Sequence, residues 1–118
     1  MIDSIHSFLQ KIKEHKHVLQ LIKETDPIMI CFISSQENVS LVLKNGEVSM
    51  LHDTEEVFNK YQIYGELAAI EQLLTGKERL RVLIQKGRLK FSAPFRLVLM
   101  LESLFYLTKV DEKRIKII

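Results

Sequence analysis

The chain has 118 residues, 47% hydrophobic and 27% charged, with four Gly and two Pro. That is the composition of a single globular domain, residues 1–118, able to bury a core without disulfide or metal staples and too poor in Gly and Pro for long linkers. Seventeen basic side chains against fifteen acidic ones leave a net charge of +2, and with no Trp and no repeated basic and aromatic pattern, nucleic acid is excluded as a partner.

The single cysteine, Cys31, has no intrachain partner and sits in an apolar run, where a buried and inert thiol is expected. No basic-then-apolar leader with a small-residue cleavage site opens the chain, so the expected location is cytoplasmic. At the N-terminal end, Ile5, Phe8, Leu9, Ile12, Leu19 and Ile22 recur at helical spacing, interrupted at positions 13–16, and predict an amphipathic helix. Asp3 or Ser4 can cap its start and Thr25-Asp26-Pro27 stops it. Residues 28–34 form a short continuous apolar run with β-branched and aromatic content, the pattern of a strand buried on both faces or nearly so.

The segment 39–51 predicts a hairpin. Asn45-Gly46 tolerates the positive φ values that a two-residue type I′ turn demands. With that turn Lys44 faces Glu47, Leu43 faces Val48, Val42 faces Ser49 and Leu41 faces Met50. Val39, Leu41, Leu43, Val48 and Met50 then point to one side, toward whatever the helices cover. A polar connection at 52–56 leads to a strand at 60–64, ended by Gly65. Leu67, Ile70, Leu73 and Leu74 lie at helical spacing, and Gly76 suits the left-handed closing residue of that helix. Residues 79–84 predict another helical turn, and 88–92 a short strand with Leu89 and Phe91 on one face.

The next stretch, residues 95–107, reads FRLVLMLESLFYL and follows Pro94, which fits a helix start because its missing N–H has no intrahelical partner there. Ten of its side chains are apolar, each stabilised by roughly 1.5–3 kcal/mol if buried, so something must cover this helix. At about 100° per residue Arg96 and Ser103 share one side, yet Leu99, Met100 and Leu107 project near the same stripe. The run is shorter than the roughly 20 apolar residues of a membrane span. Positions 111–118 form a charged tail with three isoleucines, expected on the surface.

Leu73-Leu74-Thr75-Gly76-Lys77, a short connection, Lys86-Gly87-Arg88-Leu89-Lys90 and an apolar final helix, preceded by a helix and a tight hairpin, resemble the sterol-carrier-protein family of lipid-transfer domains. The chain departs from the family pattern at Ser92-Ala93-Pro94, where members usually carry a glycine followed by a small or polar residue. The resemblance implies an α+β fold: a five-stranded, mainly antiparallel sheet covered on one face by helices, with an apolar tunnel between them. It also implies noncatalytic binding of sterols, fatty acids, fatty acyl-CoA or phospholipids, with the last helix helping to close the tunnel.

Catalytic and metal chemistry has little to stand on. His6, His15, His17 and His52 complete no ligand set at a known spacing and are expected to be solvated or to cap helix ends. No Gly-rich phosphate loop or nucleophile elbow is present, and no cofactor is implied. Between positions 77 and 90 six basic residues, Lys77, Arg79, Arg81, Lys86, Arg88 and Lys90, face the single acid Glu78, either as a solvated rim or as a headgroup site.

The expected ligand-binding set is therefore Leu41, Leu43, Met50, Phe91, Leu97, Met100, Leu101, Leu104 and Phe105 for an apolar tail, with Arg96 for an anionic head. Two alternatives stay open. In one, the final helix buries its apolar face in a homodimer or against another protein; in the other, it and the basic run touch a membrane surface transiently.

Overall fold

The computed structural model describes residues 1–23, 26–50 and 59–109. Position 51, expected in the second arm of the hairpin, and the segments 52–56 and 111–118 lie outside the described residues, as does Thr25 of the expected helix stop.

The N-terminal apolar stripe folds as two helices, α1 (Ile2–Ile12) and α2 (Lys16–Lys23). A single helix would turn Val18 away from Ile5, Phe8 and Ile12, because Val18 lies six positions after Ile12 and helical neighbours recur every three or four. The break re-aims the second stripe, so that Val18 and Ile22 are buried and Leu19 only half-buried. His15 makes the joint. Its Nδ1 donates to the Lys11 carbonyl at 2.8 Å, while its own carbonyl accepts from Val18 and Leu19, each at 3.0 Å. The ring is 5% exposed, so this histidine caps a helix end from inside the protein instead of from solvent.

Five strands follow: β1 (Ile28–Ile33), β2 (Asn38–Lys44), β3 (Glu47–Met50), β4 (Asn59–Gly65) and β5 (Leu89–Phe91), in the sheet order β3-β2-β1-β4-β5. The β2–β3 register pairs Lys44 with Glu47, Leu43 with Val48, Val42 with Ser49 and Leu41 with Met50, as the turn chemistry dictates. Asn45 and Gly46 take φ of 55° and 78°. β1 lies at the centre, antiparallel to β2 and parallel to β4, and β5 closes the other edge antiparallel to β4. The sheet is thus mixed and mainly antiparallel.

α3 (Leu67–Leu74), α4 (Leu80–Gln85) and α5 (Phe95–Lys109) join α1 and α2 on one face of this sheet. Past α3, Gly76 adopts φ 72° and donates to Leu73 O, and Lys77 donates to Gln72 O, the paired bonds of a Schellman closure. The inner face of the sheet, Ile28, Ile30, Phe32, Leu41, Leu43 and Ile63, forms one core with the buried stripes of the helices. Met29 and Val42 are buried on the outer face, with Cys31 half-buried beside them. The Cys31 thiol is therefore less enclosed than the apolar run implies, and its Sγ lies 3.0 Å from Ser40 Oγ across the β1–β2 pair.

Candidate functional site

α5 decides where the protein is solid and where it is open. Pro94 precedes its first turn and accepts from the N–H groups of Leu97 and Val98 at 2.9 and 3.2 Å. From there Leu97, Val98, Leu101, Leu104 and Phe105 recur every three or four residues and are buried. Phe105 packs against Phe8 with ring centroids 4.8 Å apart and meets Phe32 edge-on at 6.0 Å. Beneath the C-terminal half of α5 this aromatic cluster fills the interior, leaving beside it a recess of only about 30 Å³.

The N-terminal half is different. A cleft of about 650 Å³ opens between α5, the C-terminal half of α2 and the first residues of β1 and β4. Its apolar wall comes from Leu21, Ile28, Tyr61, Leu97, Leu99 and Met100, and Asp26, Asn59, Arg96 and Ser103 supply polar groups. The stripe of α5 that lines it, Arg96, Leu99, Met100 and Ser103, is the side that helical periodicity marks as its wettest. This explains why that side is half apolar: it faces a cleft instead of open solvent. Phe95 is 63% exposed at the start of α5, and Leu21 is 45% exposed on the cleft wall.

A second cavity of about 890 Å³ adjoins β4, β5 and the end of α4. Met29, Ile84, Leu89 and Phe91 line it together with the polar groups of Lys60, Gln62, Lys90 and Ser92. Tyr61 is the one described residue common to both linings.

The residues expected to bind an apolar ligand thus separate into groups. Arg96, Leu97 and Met100 line the α5 cleft and Phe91 the second cavity. Leu101, Leu104 and Phe105 lie on the buried face of α5, and Leu41 and Leu43 on the inner face of β2, all within the packed core; Met50 packs half-buried against it. Leu21, Ile28, Tyr61 and Leu99 complete the cleft and are absent from the expected set. For Leu99 the signal was available, since it shares the stripe of Arg96 and Ser103.

Much of the basic run between positions 77 and 90 is engaged within the protein. Arg81 reaches Glu102 on α5 through Nε and Nη2, at 3.0 and 2.8 Å from Oε2, while its backbone N–H donates to Oε1 at 3.0 Å. The Arg79 guanidinium lies 4.6 Å above the Tyr106 ring. Arg88 donates to Gln72 Oε1 at 2.7 Å and approaches Glu66 at 3.5 Å, and Lys86 stands 3.9 Å from Glu78. Glu102 is only 8% exposed. Burial pushes its carboxyl pKa up, but the side-chain and backbone bonds from Arg81 and the charges of Arg81 and Arg79 outweigh this and hold it below the ordinary glutamate value. This carboxylate is a structural anchor between α4 and α5.

Among the described residues no three His, Cys, Asp or Glu side chains come together as a metal set, and no helix is long and apolar enough to cross a membrane.

No family model and no curated protein matches the sequence. Solved structures do match. A protein described as the ubiquinone synthesis protein UbiJ-SCP2 superposes with a TM-score of 0.63 at 16% identity, over 91% of this chain and 86% of that one. The apo form of sterol carrier protein 2 from Yarrowia lipolytica gives 0.56 at 20% identity, covering 91% and 85%. Palmitated SCP2L2 from Aedes aegypti gives 0.51 at 11% identity, covering 83% and 94%. The chain therefore has the fold of the sterol carrier protein 2 domains, the fold that its short motifs and order of elements imply.

Proposed function

We propose that this protein is a noncatalytic carrier that takes up one long-chain lipid, with the apolar tail in the cleft beneath the N-terminal half of α5. The observation that carries this reading is the cleft itself. Its volume of about 650 Å³ lies within the roughly 300–1,000 Å³ of small-molecule sites, and its walls are mainly apolar with a few polar groups at definite places. Uptake is passive, since it removes apolar ligand surface from water at roughly 25 cal/mol per Å².

In this reading Leu97 and Met100 contact the tail directly, Phe91 backs the Tyr61 ring on the cleft wall, and Arg96 meets an anionic head. Leu101, Leu104 and Phe105, with Leu41, Leu43 and Met50 across the core, form the rigid support against which the cleft keeps its shape. Fatty acids, fatty acyl-CoA, sterols and phospholipids are the ligand classes to compare. The palmitate of the Aedes aegypti protein supports a single acyl chain as the first to test. Phe95 and Leu21, exposed beside the cleft, favour transient contact with a membrane surface during exchange over a permanent homodimer.

Titration with a fluorescent fatty acid at micromolar concentration, followed by displacement with unlabelled palmitate, tests the proposal. Saturable binding of one probe per chain, displaced by palmitate, is the expected outcome. An absence of saturable binding would contradict it, and light scattering that showed an obligate oligomer would favour the alternative in which α5 buries its apolar face in a homodimer.

A further inference from the structure

We propose that the α5 cleft selects a dipolar lipid head, a phosphate that carries a primary amine, and that Asp26 is the residue that makes the selection. This inference rests on the carrier reading above and adds to it the chemistry of the ligand's polar end. Two charged side chains of opposite sign line the cleft, the carboxylate of Asp26 and the guanidinium of Arg96. Elsewhere opposite charges meet within the protein: Arg81 with Glu102, Arg88 with Glu66 and Lys86 with Glu78. Asp26 and Arg96 do not. Neither side chain forms a hydrogen bond or an ion pair with another described residue, although both border the same space and both are exposed.

The topology brings them to one end of the sheet. β1 and β4 run parallel with Ile28 beside Asn59, so Asp26, two positions before Ile28, lies at the end where both strands begin. β5 runs antiparallel to β4, with Leu89 beside Gly65 and Phe91 beside Ile63, and the chain leaves it heading for that same end. There α5 starts at Phe95, with Arg96 in its first turn. Leu97, Leu99 and Met100 continue the cleft wall along α5. A lipid whose tail lies against that wall has its head beside Asp26, Asn59 and Arg96.

A fatty acid carboxylate satisfies Arg96 alone and is repelled by Asp26. A phosphate monoester is repelled more strongly, because it carries more negative charge. A head with both signs satisfies both residues: its phosphate accepts paired N–H bonds from the planar guanidinium, and its ammonium donates to the Asp26 carboxylate and the Asn59 amide oxygen. A primary ammonium fits this set better than a trimethylammonium, which has no N–H to donate and is recognised by cages of aromatic rings. Tyr61 is the one aromatic residue among those that line the cleft.

The test compares three lysophospholipids of one acyl length, lysophosphatidylethanolamine, lysophosphatidylcholine and lysophosphatidic acid, each displacing a fluorescent fatty acid below its micelle concentration. The wild type should bind the ethanolamine lipid about fivefold more tightly than either of the others. Asp26→Asn should lose that preference and bind lysophosphatidic acid as tightly as the wild type does or more tightly. Asp26→Ser, which also removes the charge at this exposed position, carries the same expectation if the asparagine variant does not fold. A wild type that binds the fluorescent fatty acid but does not favour the ethanolamine lipid, or a preference that neither variant changes, overturns the role of Asp26 and leaves the carrier reading intact. A wild type that binds neither the fatty acid nor any of the three lipids overturns both.

Discussion

The carboxylate of Glu102, on α5, caps the first turn of α4 by accepting the backbone N–H of Arg81, and it holds the Arg81 guanidinium with its other oxygen. Arg79, the residue before α4, makes no side-chain cap bond of its own, so a residue remote in sequence supplies what a local Ser, Thr or Asp usually supplies. Replacement Glu102→Ala leaves this N–H without its acceptor and should cost about 1–2 kcal/mol in chemical denaturation. Glu102→Gln retains an oxygen for the N–H and should cost less than the alanine variant.

The same contact sets a pH dependence. Glu102 titrates below its ordinary value of 4.5, so its contribution to stability is complete above that pH and is lost as the pH falls through the lower folded value. On acidification from about pH 5 to pH 3 the wild type should therefore lose more stability than Glu102→Gln, which carries no titrating group at that position. Parallel thermal melts of the two proteins measure the difference.

Gly65 is fixed by close approach of β5. A Cβ at this position would stand 2.3 Å from the carbonyl oxygen of Arg88 and 2.5 Å from Leu89 Cδ2, and the oxygen belongs to backbone that cannot rotate away. Gly65→Ala should cost about 1–3 kcal/mol by forcing β5 off β4. Hydrogen exchange should show the loss first at residues 89–91, the three positions of β5.

The hairpin was legible residue by residue, because Asn45-Gly46 specifies its turn and the turn specifies the register. The apolar character of α5 was legible too, and so was the strand at β5. The joint at His15 was not: the spacing predicts one helix across the interruption at positions 13–16, and the burial of Val18 in place of Leu19 depends on how the second helix is re-aimed. The parallel pairing of β1 with β4 and the Arg81–Glu102 contact join positions far apart in the chain, and no local pattern specifies them. Periodicity found the buried stripe of α5 and the wet stripe opposite it. It could not reveal that the wet stripe faces a cleft, because that depends on where Leu21, Ile28 and Tyr61 come to rest in three dimensions.

The cleft can be closed from its wall, at a residue that packs against the edge of the core and is not enclosed in it. Met100 is half-buried on its wall, and Met100→Trp extends an aromatic ring into the space a ligand would occupy. Binding of a fluorescent fatty acid should fall by about tenfold or more, since tenfold corresponds to only about 1.4 kcal/mol. Thermal stability should change little.

Arg96 should distinguish ligands by charge. A charge-assisted bond contributes about 1.5–3 kcal/mol, so Arg96→Gln should weaken binding of a fatty acid by about tenfold or more. Binding of an uncharged analogue such as the fatty alcohol of the same length should be nearly unaffected. Isothermal titration of both ligands into both proteins provides the comparison.

Lipid content of the freshly purified protein tests the carrier reading most directly. After denaturing extraction, mass spectrometry of the wild type should recover close to one long-chain lipid per polypeptide, and Met100→Trp prepared in the same way should be depleted of it. A wild type that is lipid-free on extraction and takes up none when incubated with lipid vesicles would contradict the account.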